Sequence, residues 1–223
     1  MSSLNSPAEI FDLTGQRAVI IGGTGVLGGR FAKCLAYAGA EVVLLGRSAE
    51  RGEAIVEAIT ASQGRASFIS IDVSDRESLE QAAIAIENLG GADILVNAAG
   101  VNSRTPFNAL GDEEWDYLLD VNLSAVFRAC QIFAPQMQNR RKGASIINIS
   151  SASSGPPLSR VFGYAAAKAG VNNVTQYLAR ELAPENIRVN AIIPGFFPAE
   201  QNRALLTPER IDNILGHTPM RRL

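Results

Sequence analysis

The hydrophobic positions of the chain fall into short apolar runs that are separated by longer stretches of mixed polarity. Runs of five to seven residues are typical of strands buried on both faces of a sheet when they are rich in Val, Ile and Leu. We predict six strands on this basis: RAVIIG (17–22), EVVLL (41–45), ASFISI (66–71), DILVN (93–97), ASIINIS (144–150) and IRVNAII (187–193).

The stretches between these runs have the spacing of helices that bury one face. In VLGGRFAKCLAYAG, for example, Leu27, Phe31, Leu35 and Ala38 fall on one stripe, and Gly39 can end the helix. The alternation predicts an α/β fold, a single Rossmann-type, doubly wound parallel sheet with helices on both faces. Ligands of such sheets bind at the carboxyl ends of the strands, so functional residues are expected just after each strand.

Length and charge are those of one domain that acts on a small molecule. The 223 residues are 47% hydrophobic without a linker-like segment, so we predict one domain over residues 10–223 after a loose tail at residues 1–9. The net charge is −2, and no basic run suits nucleic acid or an anionic membrane. Since the sequence has no apolar segment of membrane-spanning length and no targeting segment, we expect a cytoplasmic protein.

The single histidine and the two cysteines limit the kinds of catalytic and metal site that the chain can form. A Ser-His-Asp triad or a multi-histidine metal site would have to be built around His217, the single histidine. We therefore expect no metal site, with His217 as an exposed or capping residue. Cys34 and Cys130 lie far apart in helical patterns and are expected to be reduced, buried thiols.

A glycine-rich turn follows the first predicted strand. The segment GGTGVLGG (22–29) opens a helix, and its glycines let backbone amides at a helix N-terminus approach a pyrophosphate. A purely structural turn is the alternative, but the position after the first strand of several βα units favours a dinucleotide. The predicted cofactor contacts here are Gly22, Thr24, Gly25, Val26, Leu27 and Gly28.

The end of the second strand bears on which dinucleotide is bound. Dinucleotide folds usually carry an acidic residue there for the ribose hydroxyls, whereas this chain has Gly46, followed by Arg47 and Ser48. A cation and a hydroxyl without a carboxylate suit a 2′-phosphate, so NADP(H) is favoured, with NAD(H) as the second candidate. The alternative is that Arg47 is only a solvated surface cation.

The third and fourth strands are followed by further candidate cofactor residues. Asp72 could accept a hydrogen bond from the adenine amino group or cap the next helix, although Ser74 and Asp75 suit the cap better. Small residues in NAAG (97–100) allow close approach by a ring or its ribose, but tight packing would also explain them. The predicted contacts are Asp72, Val73, Asn97, Ala98, Ala99 and Gly100.

A tyrosine and a lysine lie four residues apart in YAAAK (164–168), within a predicted helix. Positions i and i+4 share one helix face, so Tyr164 and Lys168 would present their polar ends to one volume. An ammonium about 4 Å from a phenol lowers the pKa of the phenol by roughly 3 units before desolvation opposes it. This predicts a lowered pKa for the Tyr164 phenol, the alternative being a packed aromatic beside a solvated lysine.

Together these motifs resemble the short-chain dehydrogenase/reductase family over almost the whole chain. The resemblance rests on the order and spacing of GGTGVLG (22–28), NAAG (97–100), Asn122, NISS (148–151), YAAAK (164–168) and PG (194–195). It implies an NAD(P)(H)-dependent oxidoreductase that interconverts a secondary alcohol and a ketone. It also adds Pro194 and Gly195 to the cofactor contacts.

The resemblance implies catalytic roles for four residues. Tyr164 would be the general acid/base, Lys168 would also donate to ribose hydroxyls, and Ser151 would hold the substrate oxygen. Asn122 would fix a water that connects Lys168 to solvent. Two plain alternatives stay open, since Ser151 could be a turn hydroxyl and Asn122 could satisfy a break in a helix backbone.

The segment NAIIPGFFPAEQNRALL, followed by HTPM, is similar to D-mannonate oxidoreductase-like members of the family. This implies a sugar acid such as D-mannonate or D-fructuronate as the substrate. A carboxylate would favour a guanidinium from Arg104 or Arg160, although both could equally be surface residues. Ser151, Phe196 and Gln201 complete the predicted substrate contacts.

The chain also departs from the family pattern. Ile21 stands where a threonine usually precedes the glycines, and Ala199 stands where a threonine often contacts the nicotinamide amide. The chain ends at HTPMRRL, where relatives usually continue, so we expect the final C-terminal strand to be missing. The family implies a homodimer or homotetramer, while the short end leaves a catalytically weak or truncated dinucleotide-binding or interaction protein as the alternative.

Overall fold

A computed structural model describes residues 10–138, 140, 143–155, 161–195 and 208–222 of the chain. All six predicted strands form, each with bounds within one residue of the prediction: β1 (Arg17–Ile21), β2 (Glu41–Gly46), β3 (Arg65–Ser70), β4 (Ile94–Asn97), β5 (Ala144–Ile149) and β6 (Ile187–Ile192). They pair in parallel in the order β3-β2-β1-β4-β5-β6. The order reverses beside β1, which places the switch point of the sheet between β1 and β4.

Helices connect the strands of the described chain. They are α1 (Val26–Tyr37), α2 (Ala49–Ala61), α3 (Arg76–Asn88), α4 (Asp112–Leu119), α5 (Ala125–Met137), α6 (Phe162–Glu181) and α7 (Pro208–His217). A π-helical segment, Asp120–Ser124, joins α4 to α5. Single 3-10 turns occur at Phe107–Ala109, Ala152–Ser154 and Ala183–Glu185.

Two hydrophobic clusters cover the two faces of the sheet. Val19 and Leu95 belong to the cluster that packs on α3, α5 and α6, whereas Ile20 and Val96 belong to the cluster on α1 and α2. Successive strand residues point to opposite faces, so each interior strand contributes to both clusters. Strand β6 differs, because its alternate residues Arg188, Asn190 and Ile192 are exposed in the described structure.

Helix α1 lies closer to the sheet than its large apolar residues predict. Its buried residues are the small Gly28, Gly29, Ala32 and Ala36, while Phe31 and Leu35 pack only partly buried beside them. The predicted stripe is therefore wrong by one position. Small residues face the sheet because the helix starts directly from the turn that follows β1. The helix ends at Tyr37, and Gly39 beyond it has φ +97°, as predicted from its glycine.

The two cysteines are free but differ in environment. Cys130 is buried, and burial raises the pKa of its thiol to about 12. Cys34 is exposed on the solvent side of α1, so the prediction that it is buried was wrong. A search of the described helices finds none with the length and apolarity that a membrane crossing requires.

Candidate active site

The turn after β1 is so tightly packed, against the residues after β4 and within itself, that only glycine fits at two positions. Gly22 has φ +79°, and a Cβ there would lie 2.4 Å from the amide nitrogen of Ala99. A Cβ on Gly28 would lie 2.2 Å from the carbonyl oxygen of Gly22. The N-terminus of α1 follows at Gly25 without a side-chain cap. Its first amides therefore fit an anionic group such as a pyrophosphate.

A cavity of about 810 Å³ extends from this turn along the carboxyl ends of the strands. A cavity of this length and volume, with an uncapped helix N-terminus in its wall, fits a dinucleotide. Most of the predicted site residues line it. They are residues 22, 24–28, 47–48, 72–73 and 98–100, together with Arg104, Ser151, Tyr164, Lys168, Pro194 and Gly195.

One end of the cavity is basic, beside the end of β2. Ser48 caps helix α2, because its Oγ accepts from the backbone amide of Arg51 at 3.4 Å. The Nε of Arg51 also donates to Ser48 Oγ at 3.3 Å, and Arg51 lines the cavity beside Arg47. Sequence reasoning missed Arg51. Its position three residues after the Ser48 cap, in the first turn of α2, is the signal that could have found it.

The turn after β3 forms a second part of the same wall. Asp72 lines the cavity, and its Oδ1 accepts from the amide of Ser74 at 2.9 Å. Helix α3 is capped by Asp75, which accepts from the amide of Glu77 at 2.9 Å. The cap therefore belongs to Asp75, as predicted. The carboxylate of Asp72 shapes the loop at the cavity wall.

Asn97 lies behind the cavity, and the prediction that it contacts the cofactor was wrong for its side chain. It is buried, and its Nδ2 donates to Asn148 Oδ1 at 2.8 Å and to Cys130 Sγ at 3.4 Å. Asn148 Nδ2 in turn donates to Thr175 Oγ1 at 2.9 Å. Side chains alternate between the two faces of β4, and the side chain of Asn97 lies on the face that packs against α5. Only the residues after Asn97 therefore reach the cavity. This polar network joins β4, β5 and α6.

Asn122 has the structural role that sequence analysis gave as its alternative. It lies in the π-helical segment and is fully buried, and its Nδ2 donates to the carbonyls of Leu118 at 2.8 Å and Val101 at 2.9 Å. Its Oδ1 accepts from the amide of Val101 at 3.2 Å. A π-helix leaves a carbonyl four residues back without its usual partner, and the side chain supplies the missing donor. Asn122 thus fastens the loop after β4, while its neighbour Val121 lines the cavity.

Ser151, Tyr164 and Lys168 meet at the other end of the cavity, although two different elements carry them. Ser151 follows β5, and its Oγ accepts from the amide of Ser153 at 3.2 Å, so it is also the turn hydroxyl. It forms a side-chain hydrogen bond with Tyr164, on α6. Lys168 lies one turn further along α6, with its Nζ 5.6 Å from the centre of the Tyr164 ring.

The electrostatics of this pair differ from the prediction. Burial raises the pKa of Tyr164 above its usual range, and the hydrogen bond with Ser151 opposes that rise only in part. The expected lowering by Lys168 is absent, because its Nζ donates to the carbonyl of Ile149 at 2.8 Å and faces the ring rather than the phenol oxygen. Burial also lowers the pKa of Lys168 to about 8. Desolvation therefore outweighs the neighbouring charge for both groups in this arrangement.

Arg104 lines the cavity on the side opposite the basic end. Its Nε and one terminal nitrogen, Nη2, are buried without a hydrogen-bond partner.

Three other predicted substrate contacts, Arg160, Phe196 and Gln201, lie outside the described residues, as does the side chain of His217. The described residues hold no group of three or more His, Cys, Asp or Glu side chains that could bind a metal. Tyr117, which sequence reasoning also missed, lines the cavity from α4.

Comparison with known proteins agrees with this architecture. Residues 16–209 match the family model described as short chain dehydrogenase. The chain belongs to the short-chain dehydrogenase family. It is therefore an NAD(P)-dependent oxidoreductase built on a Rossmann-type sheet, and the resemblance noted in its motifs is confirmed.

Several relatives of this oxidoreductase have assigned substrates. Gluconate 5-dehydrogenase from Gluconobacter oxydans is 34% identical over 96% of this chain and 84% of its own. A crystal structure of a proposed D-mannonate oxidoreductase from Haemophilus influenza, with bound NAD, is 32% identical with a TM-score of 0.89. The match covers 98% of this chain and 86% of that chain. A proposed NAD(P)-dependent gluconate 5-dehydrogenase from Beutenbergia cavernae, with bound NADP at low occupancy, is 30% identical with a TM-score of 0.89, over 95% of this chain and 85% of its own.

Proposed function

We propose that the enzyme interconverts a secondary alcohol and a ketone on a sugar acid, such as D-mannonate and D-fructuronate, with Tyr164 as the general acid/base. The observation that carries this proposal is the meeting of Ser151, Tyr164 and Lys168 at one end of a cavity whose other end is the glycine turn. A dinucleotide in that cavity supplies or accepts the hydride. The remaining tasks fall to side chains of the chain itself.

Those tasks are to hold the reacting oxygen and to move its proton. Ser151 can hold the oxygen by a hydrogen bond, and Tyr164, bonded to the same serine, can give or take the proton. The high pKa of Tyr164 keeps the phenol protonated at neutral pH, which suits proton donation to a ketone oxygen. Lys168 is buried beside it and can donate to ribose hydroxyls once its Nζ leaves the Ile149 carbonyl.

We propose NADP(H) as the preferred cofactor. Two guanidinium groups, Arg47 and Arg51, and the hydroxyl of Ser48 line the cavity where the 2′-position of the ribose is expected. Arginine suits phosphate because its planar group can donate two hydrogen bonds at once. One related structure contains NAD and another contains NADP, so both cofactors occur among the relatives of this chain.

The sugar acid is supported by the chemistry of the cavity and by the relatives. Arg104 lines the cavity, and a carboxylate is the anion that suits its guanidinium best, because it can accept two hydrogen bonds at once. Gluconate 5-dehydrogenase and 5-keto-D-gluconate 5-reductase are among the proteins to which this chain is similar. The finer assignment to D-mannonate is tested below against D-gluconate.

We also propose that the enzyme is a homodimer or homotetramer. Phe127 on α5 is 48% exposed and Tyr177 on α6 is 71% exposed. Large exposed aromatics on neighbouring helices are typical of surfaces that pack against another chain. Multi-angle light scattering of the purified protein measures the mass of the assembly, and a monomer at micromolar concentration would contradict the proposal.

The test of function is an initial-rate assay with D-mannonate and D-gluconate, each with NADP⁺ and with NAD⁺. We expect turnover of at least one acid, with higher kcat/KM on NADP⁺. Tyr164→Phe should lower kcat by about 10² to 10⁴, the usual contribution of a general acid/base. Tyr37→Phe, at an exposed tyrosine on α1 that does not line the cavity, is the matched control. Nucleotide binding without turnover, unaffected by Tyr164→Phe, would instead favour a dinucleotide-binding protein.

A further inference from the structure

A single carboxylate on α4 binds both neighbours of Arg104. Glu114 accepts from Thr105 Oγ1 with both of its oxygens, at 2.8 Å and 2.9 Å. It also accepts from Ser103 Oγ. Within the loop, Ser103 Oγ accepts from the amide of Thr105 at 3.1 Å, which closes the cluster. We call Ser103, Thr105 and Glu114 the loop clamp.

The loop clamp holds the segment of the cavity wall that carries Arg104. Residues 103–105 have no helix or strand of their own, so backbone hydrogen bonds of a regular element do not fix them. The clamp fastens this segment to the first turn of α4 on both sides of Arg104. The backbone that presents the Arg104 side chain is therefore held at two points.

Glu114 does not act by pairing with Arg104. Among the ion pairs of the described residues, none joins the two side chains, and the carboxylate is occupied by the two hydroxyls. The buried Nε and Nη2 of Arg104 remain without a partner. The hydrogen bonds from Ser103 and Thr105 also lower the pKa of Glu114, so its charge persists through the neutral range. The clamp thus holds the loop without pairing with the guanidinium.

We propose that Glu114 is a positioning residue for the acid group of the substrate, acting through Ser103 and Thr105 to hold Arg104 in the cavity. This inference rests on the proposed function, because it needs a substrate with a carboxylate. Two nitrogens of Arg104 are buried without a hydrogen-bond partner, which is costly in the free protein, and a flexible loop would let the side chain turn out to solvent. The clamp keeps the loop ordered in the free protein, so binding of a carboxylate does not include the free-energy cost of ordering it.

The test compares an acid with its neutral analogue on the full chain. Each acid is paired with the alcohol in which CH₂OH replaces the carboxylate, D-gluconate with D-glucitol and D-mannonate with D-mannitol, and all are assayed with NADP⁺. The pair whose acid the wild-type enzyme turns over is used, and D-gluconate and D-glucitol stand for it below. Glu114→Ala should raise KM for D-gluconate about tenfold, and leave KM for D-glucitol and Kd for NADP⁺ within about twofold. Glu113→Ala is the matched control, since it removes an exposed carboxylate from the same helical turn. Glu114→Gln, which keeps an acceptor oxygen, should give a KM between those of wild type and Glu114→Ala.

A double-mutant cycle separates positioning from general stability. On an Arg104→Met background, Glu114→Ala should change KM for D-gluconate by less than about twofold, since the group it positions is gone. The double variant Ser103→Ala with Thr105→Val cuts the clamp from the loop side and should reproduce Glu114→Ala. It also replaces that variant if Glu114→Ala does not fold.

The outcomes separate this inference from the proposed function. If KM for D-gluconate and D-glucitol rise together, or if neither changes, Glu114 does not position the acid site and the inference is wrong. If Arg104→Met loses the preference for the acid while the clamp variants keep it, only the inference fails. If the wild-type enzyme prefers neither D-gluconate to D-glucitol nor D-mannonate to D-mannitol, the proposed substrate class fails and the inference falls with it.

Discussion

Lys168 is a residue of the proposed active site whose burial lowers the free energy of unfolding. The side chain is 3% exposed, and burial lowers its pKa to about 8. Its Nζ has one hydrogen bond from this position, to the carbonyl of Ile149. A charged ammonium in such surroundings costs free energy in the folded state, since water solvates it better in the unfolded chain.

This cost predicts that Lys168→Met stabilises the protein while it removes activity. A fall in pKa from 10.5 to about 8 corresponds to about 3 kcal/mol at neutral pH, and the lost hydrogen bond to Ile149 offsets about 1 to 2 kcal/mol of it. We therefore expect the free energy of unfolding to rise by about 1 to 2 kcal/mol at pH 7, measured by urea denaturation. A decrease at pH 7 would contradict this account.

The same argument fixes the sign of the pH dependence. The folded state penalises the protonated lysine, so the penalty is fully present below pH 8 and is lost as the pH rises toward 10.5. The stability difference between Lys168→Met and wild type should therefore shrink over this window. A difference that stays constant between pH 8 and pH 10.5 would contradict this account.

At the scale of elements, the π-helical segment depends on one amide side chain. Asn122 makes three hydrogen bonds, to Leu118 O, Val101 O and Val101 N. Asn122→Ala leaves these backbone groups buried and unpaired, so it should lower the free energy of unfolding by about 2 to 4 kcal/mol. Hydrogen exchange should increase locally in residues 98–103 and 118–124. Uniform loss of protection across all strands would show instead that the segment has no separate role.

Elements formed by local pattern were predictable, and contacts between elements were not. The six strands follow from apolar runs, and the shared face of Tyr164 and Lys168 follows from helical spacing. The inward turn of Asn97 depended on the face that β4 presents to α5, which its position at the strand end does not reveal. The raised pKa of Tyr164 depended on burial by the assembled fold. Arg51 was predictable in principle, since it lies three residues after the Ser48 cap in the first turn of α2.

On the scale of the whole molecule, the cavity joins parts that are distant in sequence. Its wall runs from the glycine turn at residue 22 to Gly195, and it receives side chains from both halves of the sheet. A dinucleotide that fills it would contact residues that follow all six strands. Binding should therefore stabilise the molecule as a unit, because a ligand that binds only the folded state adds to its free energy of unfolding.

This gives a prediction for the intact enzyme. NADP⁺ at about 100 times its Kd should stabilise the fold by about 2.7 kcal/mol, which is a rise in Tm of roughly 5 to 10 °C for a domain of this size. Arg51→Ala should weaken NADP⁺ binding about tenfold and leave NAD⁺ binding within about twofold, since only the former carries the 2′-phosphate. Arg30→Ala removes an exposed cation from α1 and should change neither affinity. Differential scanning fluorimetry and titration measure both effects, and equal losses for the two cofactors would place Arg51 away from the phosphate.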